Sequence, residues 1–162
     1  MPLITRQQKG SKLTIPEMDG NLLYLEGLAQ SAGYTYLEIE ISSAEILNSN
    51  TSPVTLLPQP GANKYYVWNG TFEFTYGTIQ YSHSGDLYVG ASSLKQGQAI
   101  SSTMITQPKN LAVSFSSSGY SGSASIIGGL NESIIYKSNT SDPKFGDGTI
   151  KIKIYYKIIN FG

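Results

Sequence analysis

Residues 149–159 read TIKIKIYYKII, and this stretch decides the fold class. Its apolar residues occupy every second position, and lysines fill most of the positions between them. A period of two is that of a β-strand, with successive side chains on opposite faces. The inward face is predicted to carry Ile150, Ile152, Ile154, Tyr156 and Ile158. The opposite face then carries Lys151, Lys153, Tyr155 and Lys157.

Residues 34–41, YTYLEIEI, show the same alternation near the other end of the chain. Their outward positions include Tyr36, Glu38 and Glu40, so this strand has an acidic outer face where the strand 149–159 has a basic one. Opposite charges across paired strands are favourable and like charges are not. The two strands are therefore predicted to be neighbours in one sheet, with the two glutamates near the lysines.

A β-hairpin is predicted around Asn69-Gly70, the pair that type I′ turns prefer. A two-residue loop there joins strands 64–68 and 71–76 and fixes their register. The predicted core face of the hairpin carries Tyr65, Val67, Phe72 and Phe74. The opposite face carries Tyr66, Trp68 and Glu73, which we take as the candidate ligand face because flat amphipathic aromatics suit sugar rings and subunit contacts. The alternative is that most of the twelve tyrosines pack within the sandwich.

The rest of the chain after residue 33 predicts eight to ten short strands separated by Gly, Asn, Pro and Ser clusters, which is typical of an all-β sandwich or barrel. The stretch 53–60 contains three prolines and is expected to be an edge strand or an extended connection. The further predicted strands are Ile79–Tyr81, Asp86–Ala91, Ile100–Ile105, Leu111–Phe115, Ala124–Ile127 and Glu132–Lys137.

The first 33 residues follow a different period. Ile15, Met18, Leu22, Leu25 and Ala29 recur at helical spacing. Thr14 and Glu17 form a capping box at the start of this predicted helix. Its interior contains Gly20 and Gly27, which cost roughly 1 kcal/mol each relative to alanine, so we expect it to be stable only against other chains or its own β-domain. The predicted domains are an extended arm with a short attachment helix (1–33) and a β-sandwich (34–162). The predicted attachment and oligomer seam consists of Leu13, Ile15, Met18, Leu22 and Leu25.

Composition narrows the classes of function. Charged residues make up 14% of the chain and the formal net charge is zero, which argues against nucleic acid as a principal partner. The chain has no cysteine, so disulfides and thiolate metal sites are excluded. No apolar run approaches the roughly 18 residues of a membrane span, and the first residues do not resemble a secretory signal, so synthesis in a cytoplasm is expected.

Residues for catalysis are sparse. His83 is the sole histidine and lies in a turn-like SHSGD context, so we expect an ordinary loop residue rather than a general base. Asp142 and Asp147 flank the loop SDPKFGDG, where the alternatives are a calcium site and ordinary turn formation, the latter favoured. Paired acids for glycoside hydrolysis would have to come from glutamates that alternate with apolar residues on strands. We therefore expect neither an enzyme nor a cofactor or metal site.

The opening TRQQKGSKLTIPEMDGNLLYLEGLA resembles the short N-terminal segment of many tailed-phage fibre and virion proteins. That segment has the form Lys-Gly-Ser, a residue, Leu-Thr, then Glu-Met-Asp, Asn and a Leu-rich tail, with Gly20 as a departure here. The residues that match are Lys9, Gly10, Ser11, Leu13, Thr14, Glu17, Met18, Asp19, Asn21, Leu22 and Leu25. The stretches ISSAEILNSNTSPVTLLPQPGANKYY and GDGTIKIKIYYKII also resemble small phage-encoded sandwich domains.

This resemblance implies a virion component with an antiparallel, jelly-roll-like β-sandwich preceded by a short helix. The N-terminal segment would dock on other virion proteins of the capsid or tail, and the sandwich would be displayed, usually as a homotrimer. Head fibre, capsid decoration and tail-fibre-like subunit are all open. The competing function is a module that binds carbohydrates or receptors and recognises host surface glycans through an exposed aromatic face.

Overall fold

The computed structural model of the protein describes residues 33–94, 97–116 and 130–160. The chain divides into two units after Thr35, and the second unit, Tyr36–Gly162, contains the sandwich. The predicted N-terminal helix and the predicted strand Ala124–Ile127 lie outside the described residues.

The all-β prediction is confirmed. Eight strands alternate with short connections that hold one α-helix and one 3-10 helix in the described part of the chain. The strands are β1 (Thr35–Ile41), β2 (Val54–Leu57), β3 (Lys64–Thr75), β4 (Leu87–Ala91), β5 (Gly97–Ile100), β6 (Leu111–Ser116), β7 (Ile134–Ser138) and β8 (Thr149–Asn160). The helices are α1 (Ser43–Leu47) and the 3-10 turn Ser102–Met104.

The strands form two four-stranded sheets, in the order β1-β8-β3-β6 for sheet A and β2-β7-β4-β5 for sheet B. The first strand thus pairs with the last in sheet A, β2 with β7 in sheet B, β3 with β6 in sheet A and β4 with β5 in sheet B. The pairings β2–β7, β3–β6, β3–β8, β4–β5 and β4–β7 are all antiparallel. Eight antiparallel strands nested in this way form a jelly roll, in which one long hairpin is folded back on itself.

Apolar side chains from both sheets meet in a single core. Phe72 of sheet A and Tyr136 of sheet B face each other, with ring centroids 6.2 Å apart. The inward isoleucines of β8 up to Ile154 are fully buried, as the alternation predicts, whereas Ile158 is 45% exposed near the end of that strand. Burial of this apolar surface is the main force that holds the two sheets together.

The predicted pairing of the first and last strands is confirmed. β1 and β8 are hydrogen-bonded neighbours at one side of sheet A. On the outer face of this sheet, Lys151 Nζ lies 3.0 Å from a carboxylate oxygen of Glu38, and Lys153 Nζ lies 2.7 Å from one of Glu73. Charge complementarity read from two distant stretches of sequence therefore identified a true strand neighbour.

The predicted hairpin at Asn69-Gly70 is wrong, because β3 runs without a turn from Lys64 to Thr75. A Cβ atom on Gly70 would lie 2.0 Å from the carbonyl oxygen of Lys153 and 2.9 Å from Cζ of Phe115. The glycine is thus needed for the close approach of neighbouring strands rather than for a turn.

Without the turn, the face assignments before residue 69 are reversed. Tyr66 and Trp68 point into the core and are 5% and 1% exposed. Tyr65 and Val67, predicted to be in the core, are half-buried on the other face, whereas Phe72 and Phe74 are buried as predicted.

The remaining strand predictions had mixed outcomes. The proline-rich stretch forms β2, an edge strand of sheet B, as expected. Residues 79–81 form no strand, and an isolated bridge pairs Ser82 with Lys144. The predicted strand Ile100–Ile105 is displaced, since β5 ends at Ile100 and a 3-10 turn follows.

Helix α1 was not predicted, although the sequence contains the capping residues with which it begins. The Ser42 hydroxyl accepts a hydrogen bond from the Glu45 N–H, and the Glu45 carboxylate accepts one from the Ser42 N–H at 2.8 Å. This reciprocal pair is a capping box, and it fixes where β1 ends and the connection to β2 begins.

Candidate functional site

Four connections between strands meet at one end of the sandwich, which we call the loop end. They join β1 to β2 (42–53), β3 to β4 (76–86), β5 to β6 (101–110) and β7 to β8 (139–148). β1 runs from Thr35 towards this end, so the chain enters the sandwich at the opposite end, the base.

Contacts among the other connections support this division. At the base, the Asn131 N–H donates to the Lys64 carbonyl at 2.7 Å, and the Ser93 hydroxyl donates to Glu132 at 2.6 Å. These bonds join the connection β6–β7 to the start of β3 and to the connection β4–β5.

At the loop end, Asp142 joins the connection β7–β8 to the connection β1–β2. One carboxylate oxygen accepts hydrogen bonds from the backbone N–H groups of Asn50 at 2.6 Å and Thr51 at 3.0 Å. The other oxygen accepts a short bond from the Thr51 hydroxyl. The Thr51 hydroxyl and N–H are the main causes that lower the pKa of Asp142.

Asp147 repeats this arrangement with the connection β3–β4. It accepts from the N–H groups of Thr78 and Ile79 at 2.7 and 2.8 Å and from the Thr78 hydroxyl at 2.6 Å. The Thr78 hydroxyl, followed by the Ile79 N–H, lowers the pKa of Asp147. Each aspartate therefore fixes a connection that is distant in sequence, by accepting hydrogen bonds from two consecutive N–H groups and a threonine hydroxyl.

This geometry favours the turn interpretation of Asp142 and Asp147 over a calcium site. Both oxygens of each carboxylate already accept hydrogen bonds, whereas a calcium ligand must direct its lone pairs at the ion. Among the residues that the structure describes, no group of three or more His, Cys, Asp or Glu side chains could hold a metal ion.

Tyr81 also links the connections β3–β4 and β7–β8, from within the core. It is buried, and its hydroxyl donates to the Gly148 carbonyl at 2.7 Å. Burial, with a smaller contribution from the Asp147 charge, raises the pKa of Tyr81 to about 12. Gly146 packs against the Tyr81 ring, and a Cβ atom at this position would lie 2.4 Å from Cγ of Tyr81. The φ of Gly146 is +87°, a backbone conformation that glycine adopts more readily than other residues.

Phe145 stands out at the loop end because it is 70% exposed. Its φ of 59° is in the left-handed region, which is unusual for a bulky residue. Its neighbour Lys144 is fixed by two backbone hydrogen bonds with Ser82, each 2.9 Å long. Ile79, which Asp147 holds, is 56% exposed. Two braced loops thus present large apolar side chains to solvent.

A shallow, open depression of about 460 Å³ lies beside this braced region. Its lining is mostly polar and consists of Gln80, Tyr81, Ser82, His83 and Thr106. Gln80 donates a short hydrogen bond to the Thr106 carbonyl, which ties in the connection β5–β6. Both imidazole nitrogens of His83 are buried and lack a hydrogen-bond partner within residues 33–94, 97–116 and 130–160.

The predicted ligand face of Tyr66, Trp68 and Glu73 does not exist as one surface. Tyr66 and Trp68 are core residues, and the Tyr66 hydroxyl donates to the Pro58 carbonyl at 2.7 Å. Glu73 lies on the opposite face of the same strand, where it pairs with Lys153. The error follows from the missing turn, which reversed the face of every residue before Asn69.

A different aromatic pair is exposed on the outer face of sheet A. Tyr36 and Tyr155 are each 48% exposed, with ring centroids 5.0 Å apart. The Tyr36 hydroxyl donates to Glu38 at 2.8 Å, which is the largest cause of the lowered pKa of Glu38, ahead of Lys151. Both tyrosines were predicted to face outward, but their contact was not foreseen.

The predicted attachment seam of Leu13, Ile15, Met18, Leu22 and Leu25 lies outside the described residues. No helix in the described ranges is long and apolar enough to cross a membrane. Comparisons of the chain with protein-family models, with curated proteins and with solved structures found no match.

Proposed function

We propose that this chain is a bacteriophage virion structural protein, attached to the particle by residues 1–33 and displaying the jelly roll behind them. The N-terminal sequence supports the attachment, since Lys9-Gly10-Ser11 and Glu17-Met18-Asp19 match the segment found on tailed-phage virion proteins. The jelly roll supports the display, because this architecture is common among viral capsid and lectin domains, although the fold by itself does not fix function.

The observation that carries the proposal is that the two ends of the sandwich differ. The chain enters at the base, while four mutually braced connections form the opposite end. A sandwich held through its entering strand would leave the loop end accessible. Head fibre, capsid decoration and tail-fibre-like subunit all fit this arrangement, with other virion proteins as the partners and the virion as the place of action.

Deletion of residues 1–33 tests the attachment. Particles are produced from a genome that encodes the chain with or without this segment, and the chain is quantified in purified particles. The shortened chain should be absent from particles. Circular dichroism of the purified shortened chain must show that the sandwich still folds. Incorporation at the level of the full chain would overturn the proposal.

A matched pair of point variants separates attachment from folding. Leu22→Asp changes the predicted seam, whereas Leu130→Asp changes an exposed leucine at the base of the sandwich. We expect the first variant alone to lower incorporation.

The proposal includes a homotrimer, and the Tyr36–Tyr155 pair is the described surface that best suits contact between copies. Tyrosine is enriched at protein interfaces because it offers a large area at low conformational cost. The mass of the purified chain by light scattering tests this assembly, and Tyr155→Glu should shift a trimer towards monomer. A monomeric full chain at every concentration would exclude a trimer that forms in solution.

Recognition of host surface glycans is the second proposed function. Burial of Trp68 excludes the predicted ligand face of Tyr66, Trp68 and Glu73 from this role. The observation that now favours it is the exposed, conformationally strained Phe145 at the loop end.

A further inference from the structure

We propose that the loop end binds a neutral saccharide, with the Phe145 ring stacked on one sugar ring and the adjacent depression supplying hydrogen bonds. This inference rests on the second proposed function, glycan recognition, and assigns it a site and a ligand class. It does not depend on how the chain is mounted on a particle.

The first argument is the conformation of Phe145. A non-glycine residue in the left-handed region costs on the order of 1–3 kcal/mol, and such strain clusters at functional sites. Core packing does not compensate for it here, since the side chain is 70% exposed. Phe145 thus combines an exposed ring with a strained backbone, a combination that suits contact with another molecule.

The second argument is rigidity. The residues on both sides of Phe145 are fixed by contacts with a distant part of the chain: Lys144 by paired backbone hydrogen bonds to Ser82, and Gly146 by packing against Tyr81. Asp147 then closes the loop on Thr78 and Ile79. A loop backbone that is fixed before binding loses little conformational entropy when a ligand arrives.

The third argument is the chemistry beside the ring. Ser82 lines the depression, and its backbone pairs with that of Lys144, so the residue before Phe145 lies next to the depression. Gln80, Ser82 and Thr106 offer uncharged amide and hydroxyl groups. His83 adds two imidazole nitrogens that have no partner in the described chain. Its nitrogens are covered, so a ligand that engages them must first displace the atoms above them.

This combination favours a neutral sugar over other ligands. A sugar ring has an apolar C–H face for an aromatic platform and hydroxyl groups for amide and hydroxyl partners, which matches a site with an apolar surface and a few placed polar groups. An anion would meet two carboxylates, Asp142 and Asp147, against one cation, Lys144, in the same connection. A protein partner would need a larger apolar patch than Phe145 and Ile79 provide.

The test is an NMR titration of the ¹⁵N-labelled full chain. The probes are soluble hexasaccharides of glucose, mannose, galactose and N-acetylglucosamine, added one at a time. We expect at least one of them to shift the amide signals of residues 78–83 and 144–148. Phe145→Ala should weaken that binding roughly tenfold, which is the size of one good contact. Phe145→Tyr, which keeps the ring, should retain it.

A matched control is Leu130→Ala, which removes an exposed apolar side chain at the base and should leave binding unchanged. Shifts centred on Tyr36 and Tyr155 instead would overturn this site while keeping glycan recognition. Unchanged spectra with all four probes would overturn both. Equal affinity of Phe145→Ala and the original chain would also refute the stacking role. Particle incorporation is a separate measurement, so none of these results bears on the attachment proposal.

Discussion

Gly70 in β3 lies directly opposite Phe115 in β6, and the Phe115 ring occupies the space that a side chain at position 70 would need. The same ring makes an edge contact with Trp68, at a centroid distance of 5.6 Å. The missing side chain of a strand glycine is thus replaced by a neighbouring aromatic ring, which keeps the core filled at this point.

Gly70→Ala should destabilise the sandwich by about 1–3 kcal/mol, the usual cost of overpacking a core. The added methyl would meet the Lys153 carbonyl, which is backbone and cannot rotate away. Chemical denaturation of the two proteins measures the difference.

Asn69→Val distinguishes the strand from a turn at this place. Asn69 is an exposed strand residue, where valine is well tolerated, so we expect stability to stay the same or to rise. A type I′ turn needs φ > 0 at this position, where valine would be costly. A loss of more than about 1 kcal/mol would therefore contradict the continuous strand.

Trp68 is the sole tryptophan of the chain and is 1% exposed. Its fluorescence should have the short-wavelength emission of a buried indole, resist quenching by acrylamide, and move to longer wavelength on unfolding. Trp68→Ala should cost about 3–5 kcal/mol, as for other large core truncations. Emission typical of a solvated indole in the folded chain would contradict the inward face.

The pairing of β1 and β8 could be predicted from sequence because two different patterns within these strands indicated it. In β1 and β8 the alternation of apolar residues agreed with the complementary charges of Glu38 and Lys151, so two independent signals gave the same pairing. At Asn69-Gly70 the local turn preference was strong, but packing of Phe115, more than forty positions along the chain, decided the outcome. Tertiary contacts override such propensities when they involve a buried core.

The loop end was less predictable for the same reason. Asp142 and Asp147 were correctly interpreted as loop residues, but their partners Thr51 and Thr78 are remote in sequence. Phe145 lies between the two aspartates that make these contacts. Nothing in the stretch SDPKFGDG distinguishes a phenylalanine that packs inward from one that is presented to solvent.

Exchange of charges tests the β1–β8 neighbours. Glu38→Lys should destabilise the chain, since the new cation would face Lys151 and Lys153 on the outer face of sheet A. The double variant Glu38→Lys/Lys151→Glu should recover part of the loss, and added salt should shrink the differences. Identical thermal midpoints of the single and double variants would argue against direct pairing.

Asp147 should contribute stability that depends on pH. Its folded pKa is lowered from the ordinary 3.8, so the contribution is complete above that value and is lost as the pH falls through the folded pKa. Asp147→Asn should therefore be less stable than the original chain at neutral pH, with a gap that narrows in acid. Asp86→Asn is the matched control, because Asp86 joins the loops through its backbone carbonyl. A gap that is constant with pH would show that the carboxylate charge is not involved.

Tyr81 gives the opposite dependence at high pH. Its folded pKa is raised from 10.0 to about 12, so its contribution is complete below 10.0 and is lost as the pH rises towards 12. Tyr81→Phe should cost about 1 kcal/mol through the lost hydrogen bond to Gly148 and should weaken this alkaline decline. Ultraviolet titration of the tyrosines gives the ionisation directly, and unfolding curves at each pH give the stability.

The nested pairing of the strands has a consequence for folding kinetics. Among the described strands, β1 is made first but pairs with β8, the last of them, and β2 likewise pairs with β7. Among the described strands, only β4 and β5 are neighbours both in sequence and in a sheet. The other pairings must close long loops, at a cost in chain entropy, before apolar surface is buried. Chains dominated by such distant contacts fold on the order of milliseconds to seconds. During synthesis β1 lacks its sheet neighbour until β8 emerges, and in that interval its edges are open to pairing with another chain.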